Sequence, residues 1–316
     1  MREGARPAHL HRAGTGGETP PLQCHETKLA ELAPAKINLT LSVKGRRADG
    51  FHDIASLVVF ASVADELSLM PGGELSLAVT GPFARAAGHL EANLVLKAAG
   101  ALARRLPWLK QGAFSLDKRL PVAAGLGGGS ADAAAALRLL ARANGLPFES
   151  GAVLQVAEET GSDVPVCLLG GCRMMRGRGE ILGPRLEMPR IPAVLVNPAI
   201  RLETARVFQT LGRRSGDLPC REFEQPAQAA TCAEWLAAIA LGGNDLEAPA
   251  IRLAPAVQTA RRQLSARPGC NLARMTGSGA TMVGLFEGAE AALSAAGAIA
   301  EEHPDWWVSA VTLAGI

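Results

Sequence analysis

The sequence predicts an α+β protein of two domains, and three observations carry that prediction. Runs such as Ala35–Val43 alternate apolar and polar residues with the period of a strand. The stretch Leu120–Asn144 opens as LPVAAGLGGGS and then becomes an alanine-rich helical segment. Beyond the proline cluster Pro184, Pro189 and Pro192, the order reads strand, helices, strand, strand, helix, strand. Without its extra helices this is the split βαβ order of a ferredoxin-like domain.

Length and composition agree. A chain of 316 residues suits two domains, and 48% hydrophobic against 20% charged residues is enough apolar material for a core. A net charge of +2 is too near neutral to argue for nucleic acid or an anionic membrane. No apolar run reaches the length of a membrane span. The six cysteines form no C-x-x-C pair, Cys167 and Cys172 read as core thiols, and a reducing cytoplasm is the simplest compartment. With no tyrosine in the chain, aromatic stacking falls to phenylalanine, tryptophan or histidine.

The elements follow in order. Residues 1–28 lack apolar periodicity and an h-region, and read as a flexible extension; a metal role for His9, His11 and His25 has only a polar, irregular context. In Ala35–Val43, Ile37, Leu39, Leu41 and Val43 face the core, while Lys36 and Asn38 share the other face, which alone reads as solvated. Asp49-Gly50 is a turn, Ile54–Phe60 and Asp65–Met70 are strands, and Pro71-Gly72-Gly73 predicts a hairpin to Glu74–Val79. Asn93 caps a helix to Arg105, and Ala113–Lys118 is a strand that delivers the chain to the glycines. For the helix that follows, Ser130 is the predicted cap, Asp132 a first-turn charge, and Gly145 with Pro147 the stop. Ala133, Leu137, Leu140 and Ala141 form its core face, and Arg138 with Arg142 a solvated one. A helix over Ser150–Thr160 ends at Gly161, just before Asp163.

The second half predicts strands Ala193–Asn197, Leu272–Thr276, Thr281–Phe286 and Trp307–Leu313, and helices Glu203–Leu211, Ala233–Leu241, Ile251–Ser265 and Ala289–His303. Arg213–Gln228 reads as a polar loop and Asn244–Glu247 as a cap before a helix. The division is 1–28, 29–187 and 188–316, with the boundary at the prolines.

The glycine stretch carries the chemistry. Glycines allow positive φ and close approach to the main chain, and a helix N-terminus offers unpaired N–H groups and partial positive charge. Together these make an anion site, most often for phosphate. The Gly-Lys-Ser/Thr ending of a P-loop is absent, since Gly129 precedes Ser130, and the dinucleotide fingerprint fails because Ser130 stands where its last glycine belongs. A tight strand-to-helix connection without ligand is the alternative. Gly125, Gly127, Gly128 and Gly129 are more glycines than such a connection requires.

Three blocks in chain order resemble the GHMP kinases: Ala33-Pro-Ala-Lys36-Ile-Asn38-Leu, Pro121-Val-Ala-Ala-Gly125-Leu-Gly-Gly-Gly129-Ser-Ala-Asp132, and Met275-Thr-Gly-Ser-Gly279-Ala. Further blocks, Arg46-Arg-Ala-Asp49-Gly-Phe51-His52-Asp53, Gly161-Ser-Asp163-Val-Pro165 and Asn244-Asp-Leu-Glu247, resemble the branch of that family that acts on a cytidine diphosphate methylerythritol in non-mevalonate isoprenoid (terpenoid) synthesis. The resemblance runs from about Leu32 to the end. It implies the two-domain GHMP kinase fold, with a ribosomal-protein-S5-domain-2-like N-terminal ATP-binding domain and a ferredoxin-like C-terminal domain. It implies an ATP-dependent small-molecule kinase, with ATP and Mg2+ as cofactors and no nucleic acid or membrane as partner, as a monomer or homodimer.

The resemblance also implies roles. Lys36 and Asp163 become the catalytic pair, with Asp163 the base; an ordinary surface lysine and a helix N-cap are the other readings of these residues. Pro121, Val122, Ala123, Ala124, Gly125, Leu126, Gly127, Gly128, Gly129, Ser130 and Ala131 become the ATP loop. Asn38, Phe51, His52, Phe208, Thr276, Gly277, Ser278 and Gly279 become substrate-binding, with Phe51 and Phe208 stacking on a base and His52 reading its edge. Phe208 reads equally as a helix core residue, and Thr276–Ala280 equally as a β-turn. Ser130 matches the family's loop serine and is a candidate contact for the metal, whose protein ligands stay unassigned. Two departures stand out: Ser130-Ala131 where Ser-Ser is frequent, and Gly50-Phe51-His52 where Gly-Tyr-His is usual. The alternatives are a homoserine or mevalonate type of kinase, or a non-catalytic RNA-binding module of similar fold.

Overall fold

A computed structural model of the chain describes residue 1 and residues 27–212, 219–227 and 230–314. Most of the 1–28 extension, with His9, His11 and His25, and part of Arg213–Gln228 lie outside the described residues.

The N-terminal half is a sheet with helices on one face. Strand β1 (Leu29–Asn38) runs antiparallel to β3 (His52–Pro71), and the short β2 (Ser42–Arg46) pairs with the start of β3. The single strand expected over Ala35–Val43 is therefore broken. Around the break the chain bonds to the other half of the molecule: Arg274 donates to the Leu39 carbonyl at 2.7 Å, Leu41 N–H donates to Gly243, and Asp245 N–H donates to Leu41. Conversely, the two strands expected within 54–70 are one continuous strand of 20 residues, because β1 pairs with it across the interval.

The predicted hairpin at Pro71–Gly73 does not form. Strand β5 (Gly112–Asp117) pairs with β3 antiparallel, and β4 (Ser76–Thr80) pairs with β5 in parallel on its far side. Helix α1 (Leu94–Arg105) provides the crossover that a parallel pair needs. It starts where expected, with the Asn93 side chain accepting from Val95 N–H.

After the glycines come α2 (Gly128–Ala143), α3 (Gly151–Thr160), α4 (Val164–Leu169) and the hairpin β6 (Cys172–Gly177) with β7 (Ile181–Leu186). Leu137 and Leu140 of α2 pack with Val95 and Leu102 of α1 on Phe60, Leu67 and Phe114 of the sheet, all buried. Of the predicted solvated pair, Arg142 is exposed but Arg138 is not. Arg138 pairs with Glu31 at 3.0 Å and donates to the Cys167 carbonyl, and Arg142 donates to the Ala30 carbonyl. Strand β1 begins earlier than the alternation suggests and brings Glu31 alongside α2.

The C-terminal half contains β8 (Ile191–Asn197), α5 (Thr204–Leu211), α6 (Cys232–Leu241), α7 (Glu247–Leu253), α8 (Ala256–Ser265), β9 (Cys270–Met275), β10 (Met282–Phe286), α9 (Ala289–Glu302) and β11 (Trp307–Ala314). Its strands lie in the order β11-β8-β10-β9, all antiparallel, which is the ferredoxin-like arrangement expected. The helix expected over 251–265 divides at Pro255, whose ring nitrogen cannot donate to a helix bond.

Leu313 and Ala314 of β11 pair with Ala61 and Phe60 of β3, so one open mixed sheet runs through both halves. Among the described residues no helix is long and apolar enough to cross a membrane. The five described cysteines are all free thiols.

Candidate active site

A cleft of about 1020 Å³ lies between the glycine loop, the β2–β3 turn, α5 and the β9–β10 loop. Lys36 reaches it from β1, buried along its stem, and its Nζ lies 2.8 Å from Asp163 Oδ1. The Lys36 main-chain N–H donates to Leu126 at 2.8 Å, which joins β1 to the loop. A Cβ on Gly127 would stand 3.1 Å from Lys36 Cβ and Cε, so the lysine stem occupies the room that this glycine leaves. Asp163 stands at the N-cap position of α4, yet its side chain makes no capping bond; its carboxylate meets Lys36 instead.

The loop itself is held from the other half of the molecule. Gly125 has φ +76, and a Cβ there would fall 2.5 Å from the Thr276 carbonyl and 2.8 Å from Gly279 N. Thr281 N–H donates to Ala124, completing the contact between the two loops. Helix α2 begins at Gly128, two residues before the expected cap. Its N-cap is Gly127 in the left-handed region, and no side chain caps it. Ser130 is thus a first-turn residue. The N–H groups that a first turn cannot pair internally lie along the cleft wall formed by Gly128, Gly129 and Ser130. Ala131, expected in the ATP loop, is buried inside the helix.

Asp132 is not a first-turn charge facing the helix dipole. It is buried behind the loop, where it accepts a hydrogen bond from Lys118. The same ammonium donates to Asp65 Oδ2 at 2.6 Å, while Asp65 Oδ1 accepts the N–H groups of Arg119 and Leu120. Two carboxylates thus share one lysine. Asp132 Oδ1 is buried without a partner, whereas both Asp65 oxygens are bonded. Burial therefore pushes Asp132 up to about 7, with Asp65 adding to the shift and Lys118 opposing it. Burial also pulls Lys118 down, but the two carboxylates outweigh it and hold the lysine above its ordinary value. Lys118 and Asp65 escaped the sequence reading. The available signal was a lysine two residues ahead of the Leu120-Pro121 entry to the loop.

The other end of the cleft is aromatic. The rings of His52 and Phe208 stack, with centroids 4.5 Å apart and planes inclined by 26°. On α5 the core position belongs to Val207, which leaves Phe208 at the cleft. His52 titrates below its usual range because burial, then the nearby Arg46 charge, disfavours the imidazolium. Phe51 stands at the rim, 48% exposed, with the Arg178 guanidinium 4.9 Å above its ring. Phe208, expected to stack on a base, has His52 on one face, and Phe51 meets Arg178, which sequence reasoning did not single out.

The β9–β10 loop divides its residues between two tasks. Gly277 and Ser278 line the cleft, and Ser278 shares a hydrogen bond with Thr204. Thr276 and Gly279 lie behind it: the Thr276 hydroxyl accepts from Asn38 N–H, and Gly279 packs on Gly125. Asn38 lines the cleft with Oδ1 buried and unpaired, while its Nδ2 donates to Ser56. Asn244 donates to the Met275 and Gly277 carbonyls, and Glu247 accepts from Met275 N–H, so that block anchors the loop.

Residues 93–171 match the family model for the GHMP kinases N terminal domain, and residues 227–305 match that for the GHMP kinases C terminal. A 4-diphosphocytidyl-2-C-methyl-D-erythritol kinase of Methylobacterium radiotolerans is 54% identical over 285 residues, covering 90% of this chain and 98% of the relative. A kinase of the same description from Rhodopseudomonas palustris strain HaA2 is 50% identical over 293 residues, covering 91% and 99%. A crystal structure of 4-(cytidine 5'-diphospho)-2C-methyl-D-erythritol kinase superposes with a TM-score of 0.71 at 35% identity, covering 91% of this chain and 100% of that one. With both halves matched in chain order, and relatives aligned along nearly their whole length, the chain belongs to the GHMP kinase family.

Proposed function

We propose that this chain transfers the γ-phosphoryl group of ATP to the 2-hydroxyl of 4-(cytidine 5'-diphospho)-2-C-methyl-D-erythritol, a step of non-mevalonate isoprenoid synthesis. The observation that carries the reading is one cleft with three ends: a glycine loop feeding α2, a Lys36–Asp163 pair at 2.8 Å, and an aromatic wall of Phe51, His52 and Phe208. Relatives at 50–54% identity carry that substrate in their names, which favours it over homoserine or a mevalonate.

Phosphoryl transfer depends on positioning and charge more than on covalent help from the protein. The N–H groups at Gly128–Ser130 receive the nucleotide phosphates. Asp163 takes the proton of the acceptor hydroxyl as its oxygen attacks the γ-phosphorus and ADP leaves. Lys36 fixes Asp163 and offers positive charge to the phosphoryl oxygens in the transition state. Asn38 Oδ1 is a buried acceptor for a hydroxyl of the substrate. The β9–β10 loop supports the glycine loop from behind, so Thr276 and Gly279 act by holding it in place.

Among the described residues no group of three or more histidine, cysteine or acidic side chains is arranged to hold a metal alone. In ATP-using sites Mg2+ is held largely by phosphates and waters. Ser130, on the cleft wall and free of capping duty, is the protein oxygen that would hold it. Bound there, Mg2+ supplies charge neutralisation at the phosphate oxygens. Asp132 is committed to Lys118.

The division at about residue 187, between β7 and β8, and a cytoplasmic location belong to the same reading; the free thiols support the latter. The test is an ADP-release assay with a panel of alcohols. Turnover is expected with the cytidine diphosphate substrate, with homoserine and mevalonate near background. Comparable rates on either of those would overturn the assignment.

A further inference from the structure

Arg178 stands at the tip of the β6–β7 hairpin, half-buried in the cleft wall. The turn that carries it is fixed on two sides. Gly177 has φ +69, and a Cβ there would lie 2.7 Å from the Glu180 carboxylate oxygens. That carboxylate accepts the main-chain N–H of Arg178, so the acid on the turn serves the backbone. Gly179 has φ +131, and a Cβ there would fall 2.6 Å from the Ser162 carbonyl. The hairpin tip therefore rests on the main chain immediately before Asp163.

Two ends of the cleft thus meet at this hairpin tip. Gly179 packs against Ser162, the residue before the proposed base, and the guanidinium of its neighbour Arg178 lies over Phe51 at the aromatic end. Among the described residues that guanidinium forms no ion pair with the protein. Arg46, the other arginine on this wall, turns its Nε toward the Gly50 carbonyl. In a substrate with a base at one end and the acceptor alcohol at the other, the diphosphate spans the interval between them.

We propose that Arg178 is a specificity-determining residue: it backs the ring of Phe51 with one guanidinium face and donates N–H groups to the diphosphate of the nucleoside diphosphate substrate. The inference rests on the functional reading above. A guanidinium suits both tasks, because its plane stacks on an aromatic face while its edge forms paired bonds to phosphate oxygens. An ammonium of the same charge does only the second.

The test measures binding of cytidine, CDP and ATP to the full chain and to Arg178→Met, which keeps an apolar stem over Phe51. The expected result is a Kd for CDP about tenfold weaker, with cytidine and ATP changed by less than about twofold. Arg178→Lys should recover part of the CDP affinity. Equal weakening of cytidine and CDP would leave only the contact with the ring and overturn the proposal, as would an unchanged Kd for CDP in Arg178→Met. Failure of the unmutated chain to bind CDP and to turn over the cytidine substrate would sink the functional reading as well, which separates the two failures.

Discussion

Lys36 Nζ lies 2.8 Å from Asp163 Oδ1, and the stem of the same lysine fills the space left by Gly127. One residue thus connects the proposed base to the phosphate loop, and the first prediction tests that link. Asp163→Asn keeps the shape and removes the base, and should lower kcat by roughly 10²–10⁴-fold with little change in KM for ATP. Lys36→Met keeps most of the stem and should also lower kcat. The ADP-release assay reads both; near-normal turnover in either variant removes that residue from the mechanism.

Gly125 and Gly129 should respond differently to alanine. At Gly125 a Cβ meets the Thr276 carbonyl at 2.5 Å with φ at +76, and neither backbone can yield cheaply. At Gly129 the nearest atom is Leu94 Cδ1 at 3.6 Å, an ordinary contact. Left-handed φ alone costs about 1–2 kcal/mol for a residue with a Cβ. Gly125→Ala should therefore lower Tm by about 4 °C or more, while Gly129→Ala leaves it nearly unchanged. Equal melting temperatures would show that the two loops are not locked together.

The buried Asp132 gives stability a pH dependence with a definite sign. Its carboxyl rises from 3.8 in the unfolded chain to about 7 in the fold, because burial and Asp65 outweigh Lys118. The folded state therefore holds the proton more tightly, and the associated stability is present at low pH and lost as pH rises from about 4 to about 7. Asp132→Asn removes this titration. In urea melts the variant should gain on the parent chain across that interval; a constant difference between them would contradict the shift.

His52 and Phe208 touch, so their contributions should be coupled. The two rings pack on each other at the aromatic end of the cleft, so each alanine variant loosens that wall and should raise KM for the cytidine substrate about fivefold or more, a loss of about 1 kcal/mol. The double variant should lose less than the sum, because each single change also disturbs the other ring. KM for ATP should hold in all three. Strict additivity would mean that the two rings act apart.

The imidazole itself offers an independent reading. Burial, then Arg46, holds His52 below 6.5, so it is neutral at pH 7. An NMR titration should place its midpoint under 6.5, and Arg46→Ala should move it upward. A midpoint at or above 6.5 in the unmutated chain would refute the assigned environment.

Much of this was legible in the chain because it rests on local rules. The Asn93 cap, the core face of α2, the strand-helix order of the second half and the glycine loop are written in short-range periodicity and in residues with distinct backbone preferences. The hairpin at Pro71–Gly73 misled because a turn signal cannot tell which strand arrives next, and β5 enters between β3 and β4. The strand expected over Ala35–Val43 misled because Arg274 and Gly243, more than 190 residues away, take the hydrogen bonds around its middle.

By itself the sequence determined which residue types stand where: a glycine loop before a helix, Lys36 on a strand, Asp163 after a helix stop, and Phe51-His52 after a turn. Only the tertiary structure decided what those residues meet. Lys36 reaches Asp163 because β1 bonds to the glycine loop, and His52 reaches Phe208 because α5 of the second half packs over the first. Asp132, to all appearance a helix-start charge, became a buried partner of Lys118 because α2 begins two residues early at Gly128 and turns that side chain inward. Side-chain partners separated by a hundred residues leave no trace in local pattern; they are fixed by how the sheet is ordered, and that order is a property of the whole chain.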